Sequence, residues 1–129
     1  MTKFYAFPKS EKLTSRNRLF YIVKKGKKFN VYPLHIKWAI LDCLPNSYIQ
    51  VAFSVSKKKF KRAVERNLIK RRMREAYRLN KTFLVEFLKA NHLCIGIIFS
   101  FVDNEVRDYK EIEFSIISAL NNIFSVLQK

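Results

Sequence analysis

The chain has 129 residues, with 26 Lys and Arg against 10 Asp and Glu, a formal charge of +16, and 49% hydrophobic and 15% aromatic residues. That length suits one domain with a single core and excludes two independent ones, and the apolar share excludes a disordered basic tail. A fold carrying so much charge calls for a polyanionic partner, nucleic acid first, and the charge is local: residues 1–80 hold 21 bases and 4 acids, residues 81–129 only 5 bases and 6 acids.

The N-terminus, Met-Thr-Lys-Phe-Tyr-Ala-Phe-Pro-Lys, lacks the apolar core of a signal peptide, and no uncharged run reaches the roughly 18 residues of a membrane span. A cytoplasmic protein with no membrane role is expected. Cys43 and Cys94, the only cysteines, sit in apolar runs and are expected as buried thiols in a reducing compartment rather than as a disulfide.

In chain order, residues 1–15 form a basic, aromatic-bearing lead-in, of which 1–12 are expected to be flexible. Thr14 or Ser15 caps a helix over about Arg16–Lys25, with Leu19, Phe20, Ile22 and Val23 apolar and Gly26 at its end. From Val31 to Leu41 the apolar Leu34, Ile36, Trp38 and Ile40 alternate with His35 and Lys37, as in a strand with one face in the core. Pro45-Asn46 signals a turn. Tyr48 to Ser56 is the next strand, with Ile49, Val51, Phe53 and Val55 on one face; Gln50, Ala52, Ser54 and Ser56 make the other face either a ligand surface or a plain solvent face.

A helix without internal Gly or Pro is predicted over Ala63–Asn80. Ile69, Met73, Ala76 and Tyr77 gather on one side, while Arg66, Lys70, Arg74 and Arg78 climb an adjoining row beside Asn67 and Arg71. Phe83, Leu84, Phe87 and Leu88 could extend the helical pattern. Residues 93–102 are almost continuously apolar, a central strand covered on both faces. The last helix starts after Asp108, with Glu111 placed for a capping box and Ile112, Ile116, Ala119, Leu120, Ile123 and Leu127 in one stripe. The expected fold is therefore an α/β (α+β) two-layer sandwich: a roughly four-stranded mixed sheet with three helices, in one domain over residues 1–129.

Between Lys57 and Arg78 stand eleven bases, Lys57, Lys58, Lys59, Lys61, Arg62, Arg66, Lys70, Arg71, Arg72, Arg74 and Arg78, against Glu65 and Glu75. A basic run is often just a solvated face. Here it starts where a strand with a polar face ends and continues along one side of a well-formed helix. Its arginines can grip phosphate oxygens in pairs, which favours a structured phosphate backbone.

The run Phe53-Ser54-Val55-Ser56-Lys57-Lys58, followed by Arg62-Ala63-Val64-Glu65-Arg66-Asn67-Leu68-Ile69-Lys70-Arg71-Arg72-Met73-Arg74-Glu75-Ala76-Tyr77-Arg78, resembles the signature of the protein subunit of bacterial ribonuclease P. The match is dense over about 26 residues, and element order and length agree over the whole chain. One departure stands out, because the family's Arg-Asn-Arg hallmark has Leu68 at its third position, leaving that contact absent or to Arg72 or Arg62.

The resemblance implies an α-β-β-β-α-β-α order with a left-handed βαβ crossover. It also implies a subunit of the endoribonuclease that removes the 5′ leader of precursor tRNA. The RNA subunit would perform the hydrolysis with Mg2+, and the protein would carry no catalytic residue, cofactor, metal or small-molecule substrate of its own. Carried over onto this sequence, the RNA-binding group is Lys57, Lys58, Lys61, Arg62, Arg66, Asn67, Lys70, Arg71, Arg72 and Arg74. A cleft for the single-stranded leader would take Leu19, Phe20, Val23, Ser54 and Ser56; Leu19 and Val23 fall where the family often has phenylalanines, so Phe20 or Tyr21 would do any stacking.

A self-sufficient nuclease needs a general base or a carboxylate cluster among the bases. His35 and His92 lie far apart in sequence, and Glu65 and Glu75, nearly opposite in helical projection, suit ion pairs better than a shared metal. A ribosomal or other structured-RNA-binding protein is the alternative that charge and fold class equally allow. A membrane-surface helix would need a bulky apolar face that this small core cannot spare.

Overall fold

The computed structural model describes residues 7–45 and 47–129. A 3-10 turn, Lys9–Glu11, precedes helix α1 (Arg16–Lys25), strands β1 (Lys27–Val31), β2 (Leu34–Leu41) and β3 (Ile49–Val55), helices α2 (Ala63–Asn80) and α3 (Thr82–Asn91), strand β4 (Cys94–Phe101) and helix α4 (Tyr109–Leu127). The sheet order is β1-β2-β4-β3. β3 and β4 are parallel, joined by a crossover through α2 and α3, and the other pairs are antiparallel.

Helix ends follow local chemistry. The Ser15 hydroxyl accepts from the Arg18 N–H at 3.3 Å, and the Asp108 carboxylate accepts from the Glu111 N–H at 2.9 Å, each satisfying an amide that the first turn leaves without an intrahelical partner. The return half of the predicted capping box does not form, because the Glu111 carboxylate turns to Arg107. Gly26 ends α1 where any Cβ would lie 2.8 Å from the Trp38 carbonyl and closer still to that of Ile22, so the chain passes between two backbones only because the side chain is absent.

Two elements were not placed by the residue pattern, although the first supplies the third strand that the implied α-β-β-β-α-β-α order contains. Lys27–Val31 is a strand of its own, paired to β2 through a Tyr32-Pro33 hairpin with a cis peptide bond. Only Phe29 and Val31 lean on the core, while Lys27, Lys28 and Asn30 are exposed, too short an alternation to announce itself. Those charges suit an edge strand that must not recruit another chain. Residues 82–91 are a fourth helix, docked by Leu84 and Leu88.

The cysteines form a disulfide, with Cα atoms 5.2 Å apart, rather than two buried thiols. Leu41 pairs with Cys94 across the sheet, so Cys43, two residues past the end of β2, comes alongside. Cys43 is exposed. That register is invisible in an apolar run read along one strand, and the cysteines carry no argument for a reducing compartment.

One face of the sheet holds the main core, where Trp38, Ile97 and Phe99 meet Met73, Tyr77, Ile116 and Leu120 from α2 and α4. Phe53 stacks on Phe99 with centroids 5.6 Å apart. The other face is covered only in part, by α1, through Leu13, Ile22, Ala39 and Ile98.

The segment expected as a flexible lead-in is docked over its described part. The Leu13 N–H donates to the Val51 carbonyl at 3.0 Å, extending the edge at β3. Glu11 reaches Lys81 at 2.5 Å, with both side chains largely buried, and accepts a hydrogen bond from the buried Tyr77 hydroxyl at 3.3 Å. Burial first, then the Glu11 charge, pushes the Tyr77 phenol well above its ordinary value. Residues 1–6 lie outside the described residues.

Candidate nucleic-acid interface

Helix α2 buries Ile69, Met73, Ala76 and Tyr77 completely, which fixes where everything else on it points. At about 100° per residue, Asn67, Lys70, Arg71, Arg74 and Arg78 turn to one outer side. Lys57, Lys58, Lys61, Arg62, Asn67 and Arg71 are exposed, and Lys70 and Arg74 half-buried. Glu75 takes Arg78 in a forked pair, the two acceptor distances being 3.1 and 2.5 Å. The hydrogen bond from Arg78 holds the Glu75 carboxyl below its ordinary value, and a pair this exposed contributes little to stability.

Two of the expected cations serve the fold as well. Arg66 donates from Nη1 to the carbonyls of Phe60 and Lys61 at 2.8 and 3.0 Å, tying the lysine loop to the helix. Arg72 lies on the opposite flank of α2 and donates to the Arg107 carbonyl. The Ser56 hydroxyl accepts from the N–H groups of Lys58 and Lys59 at 3.1 and 3.4 Å, so it shapes the loop. Leu68 is half-buried on the Arg72 flank.

The uncovered half of the sheet lies behind this ridge. Register places Lys28, Lys37, Ile98 and Ala52 in one row across the four strands and Asn30, His35, Ser100 and Ser54 in the next. None of the second row is buried. His35 Nδ1 lies 2.5 Å from Asn30 Oδ1. Burial first, then Lys37 and Lys28, lower the imidazole pKa. Beside it on α1, Leu19 packs against the second core cluster, Val23 is exposed, and Phe20, 65% exposed, stands on the outer crest with the Lys24 ammonium 5.3 Å from its ring centre. Tyr21 lies on the other flank of α1, lining a cleft with Ile40 and Leu41.

Ridge and open face meet at a cleft of about 290 Å³ lined by Lys12, Lys70 and Arg74 around Phe7, Leu13 and Ala52. Lys12 is absent from the sequence-based group because only its bridge to Val51 brings it here. His92 is far from these bases in the chain and caps α3 in the left-handed region at φ 53°. Among the described residues no group of three or more His, Cys, Asp or Glu is placed to hold a metal ion, and no helix is long and apolar enough to cross a membrane.

A four-stranded mixed sheet with one covered and one half-open face, bordered by a cation-bearing helix, defines an α+β protein with a surface suited to RNA. The sequence model of the ribonuclease P family matches residues 7–117. A ribonuclease P protein component of Porphyromonas gingivalis is 36% identical over 119 residues, covering 92% of this chain and 87% of the relative; one from Petrotoga mobilis is 32% identical, covering 95% and 93%. Among solved structures, the RNase P protein of Thermotoga maritima superposes with a TM-score of 0.66 at 20% identity, covering 87% of this chain and 96% of that one. The RNase P protein of Staphylococcus aureus gives 0.65 at 23%, covering 89% and 95%. The chain belongs to the ribonuclease P protein component family. It is thereby a subunit of the ribonuclease P ribonucleoprotein, which processes tRNA, with the ribonuclease P RNA as its partner.

Proposed function

We propose that the outer side of α2 and the lysine loop dock on the RNA subunit, through Lys57, Lys58, Lys61, Arg62, Arg66, Asn67, Lys70, Arg71 and Arg74. Arg72 serves mainly to hold the loop before α4. The open sheet face beside α1, with Ser54 and the flank of Leu19, Phe20 and Val23, takes the single-stranded 5′ leader of precursor tRNA. The observation that carries this reading is the notch of Lys12, Lys70 and Arg74, which joins the cationic ridge to the uncovered strands. It lets one continuous phosphate backbone, or two meeting strands, be neutralised across both surfaces.

Phosphodiester hydrolysis belongs to the RNA subunit in this reading. Mg2+ bound by that RNA would supply Lewis-acid polarisation of the phosphate and a hydroxide nucleophile. In this reading the chain binds and orients RNA through its cations. The site of action is the cytoplasm.

The test is reconstitution. Ribonuclease P RNA and precursor tRNA at low magnesium are expected to release the leader faster when the chain is added. Lys70→Ala with Arg71→Ala is expected to lose most of that stimulation at an unchanged melting temperature. Absence of stimulation by the native chain contradicts the reading.

A further inference from the structure

At the β1–β2 hairpin, Tyr32 and Phe114 line a cleft of about 370 Å³ together with Arg107, Lys110 and Ser115. The two residues are 64% and 70% exposed. Single exposed apolar side chains are ordinary; two aromatic rings on one cleft, neither of them in the core, are a surface that the fold does not require. Tyr32 is also fixed from several sides. The Ser115 hydroxyl donates to its carbonyl at 2.9 Å, the Asp103 carboxylate near its hydroxyl raises the phenol pKa, and the Arg107 guanidinium lies 6.0 Å from its ring centre. Asp103 in turn pairs with Arg107, so an aromatic ring and a planar cation are held side by side before any ligand arrives.

The charges around the cleft narrow the ligand. Arg107 is matched by Asp103 and, at 3.5 Å, by Glu111, which leaves it as a flat stacking group. Lys110 is exposed and has no ion pair among the described residues. The loop that carries Arg107 is bound to the RNA-facing elements on its other side: Arg72 donates to the Arg107 carbonyl, and the Lys59 ammonium donates to the Val102 carbonyl at 2.6 Å. A ligand with a flat π face and a phosphate beside it fits an aromatic pair next to a planar guanidinium and an unpaired ammonium. An acidic peptide matches the charge but leaves the rings unused.

We infer that the Tyr32–Phe114 cleft holds an unpaired nucleotide of the RNA subunit, its base stacked on the aromatic rings and its phosphate facing Lys110. The inference rests on the docking of α2 with that RNA. It adds a non-ionic anchor beyond the cationic ridge and ties the β1–β2 hairpin and the start of α4 into the interface.

The test compares three variants with the native chain in binding to ribonuclease P RNA alone, and then, once assembled, to precursor tRNA. Tyr32→Leu with Phe114→Leu keeps apolar area but removes the rings, and is expected to weaken binding to the RNA subunit about tenfold. The dependence of log affinity on log salt should keep its slope, since no charge is lost. Affinity of the assembled enzyme for precursor tRNA should stay as it was. Tyr32→Phe keeps the ring while removing the hydroxyl near Asp103, and is expected to bind as the native chain does. The inference is overturned if the leucine variant binds the RNA subunit normally, if its loss appears only with precursor tRNA, or if Tyr32→Phe loses as much as the leucine variant. Lys70→Ala with Arg71→Ala separates the two claims: if that variant keeps full affinity, the docking of α2 is what fails.

Discussion

Arg66 and Arg71 sit five residues apart on one helix and do different work. The first is bonded to two loop carbonyls, the second reaches freely into solvent, and nothing in the order of residue types separates them. The same holds for Leu68, where the signature's second arginine is missing. Arg72, one candidate to replace it, is committed to the Arg107 carbonyl, which leaves Arg62, exposed at the start of α2. Phe20 is the aromatic residue of α1 that stands clear of both clefts bordering Tyr21. If the leader stacks there, Phe20→Ala is expected to cost about 1 kcal/mol or more in binding substrates with long leaders and to leave mature tRNA unaffected; equal losses for both remove the role. Asp103 yields a prediction of another kind. The hydrogen bond from Arg107, joined by one from Tyr32, holds its carboxyl at about 2 against an ordinary 3.8. A carboxylate with a lowered folded pKa stabilises the fold fully above its unfolded value and loses that contribution as pH falls through the folded one. Asp103→Asn should therefore lower the melting temperature at neutral pH, with the gap to the native chain closing between about pH 4 and about 2. A gap that stays constant across that window contradicts the assignment.

Among the elements, those whose ends are written in side-chain chemistry were legible. α1 begins after Ser15 and α4 after Asp108 because each residue caps an amide, and α2 runs from Ala63 to Asn80 because its buried stripe is uninterrupted. The place of β1 was not legible in the residue pattern, since an edge strand with three exposed positions out of five carries little alternation, and only the implied element order contained it. The disulfide and the place of Lys12 depend on pairing between distant segments, which only the assembled sheet supplies. Glu11 is the clearest such case. In the sequence it is an isolated acid in a basic stretch, yet in the fold it fastens the N-terminal segment to Lys81 and Tyr77. Glu11→Leu removes the acid of a largely buried ion pair and is expected to destabilise the domain by about 3 kcal/mol. It should also raise proteolytic cleavage between Lys9 and Lys12 relative to the rest of the chain. An unchanged denaturation midpoint argues against the anchor.

Seen as a whole, the molecule separates its tasks by face. The apolar core joins α2, α3 and α4 to one side of the sheet, and the strand face left half-open by α1 lies next to the side of α2 that carries the bases. The location of that surface was readable from the crowding of bases into residues 1–80, whereas the way the chain seats Arg66, Arg72 and Arg78 against its own groups was not. The remaining cations, in this reading, neutralise phosphates of the ribonuclease P RNA, and affinity for that RNA as a function of salt reports on them. With six or so phosphates engaged, affinity should fall by about 10³-fold or more between about 50 and 200 mM salt. Lys70→Ala with Arg71→Ala should reduce the slope of log affinity against log salt by about two, and a slope that the double substitution leaves unchanged would contradict the account.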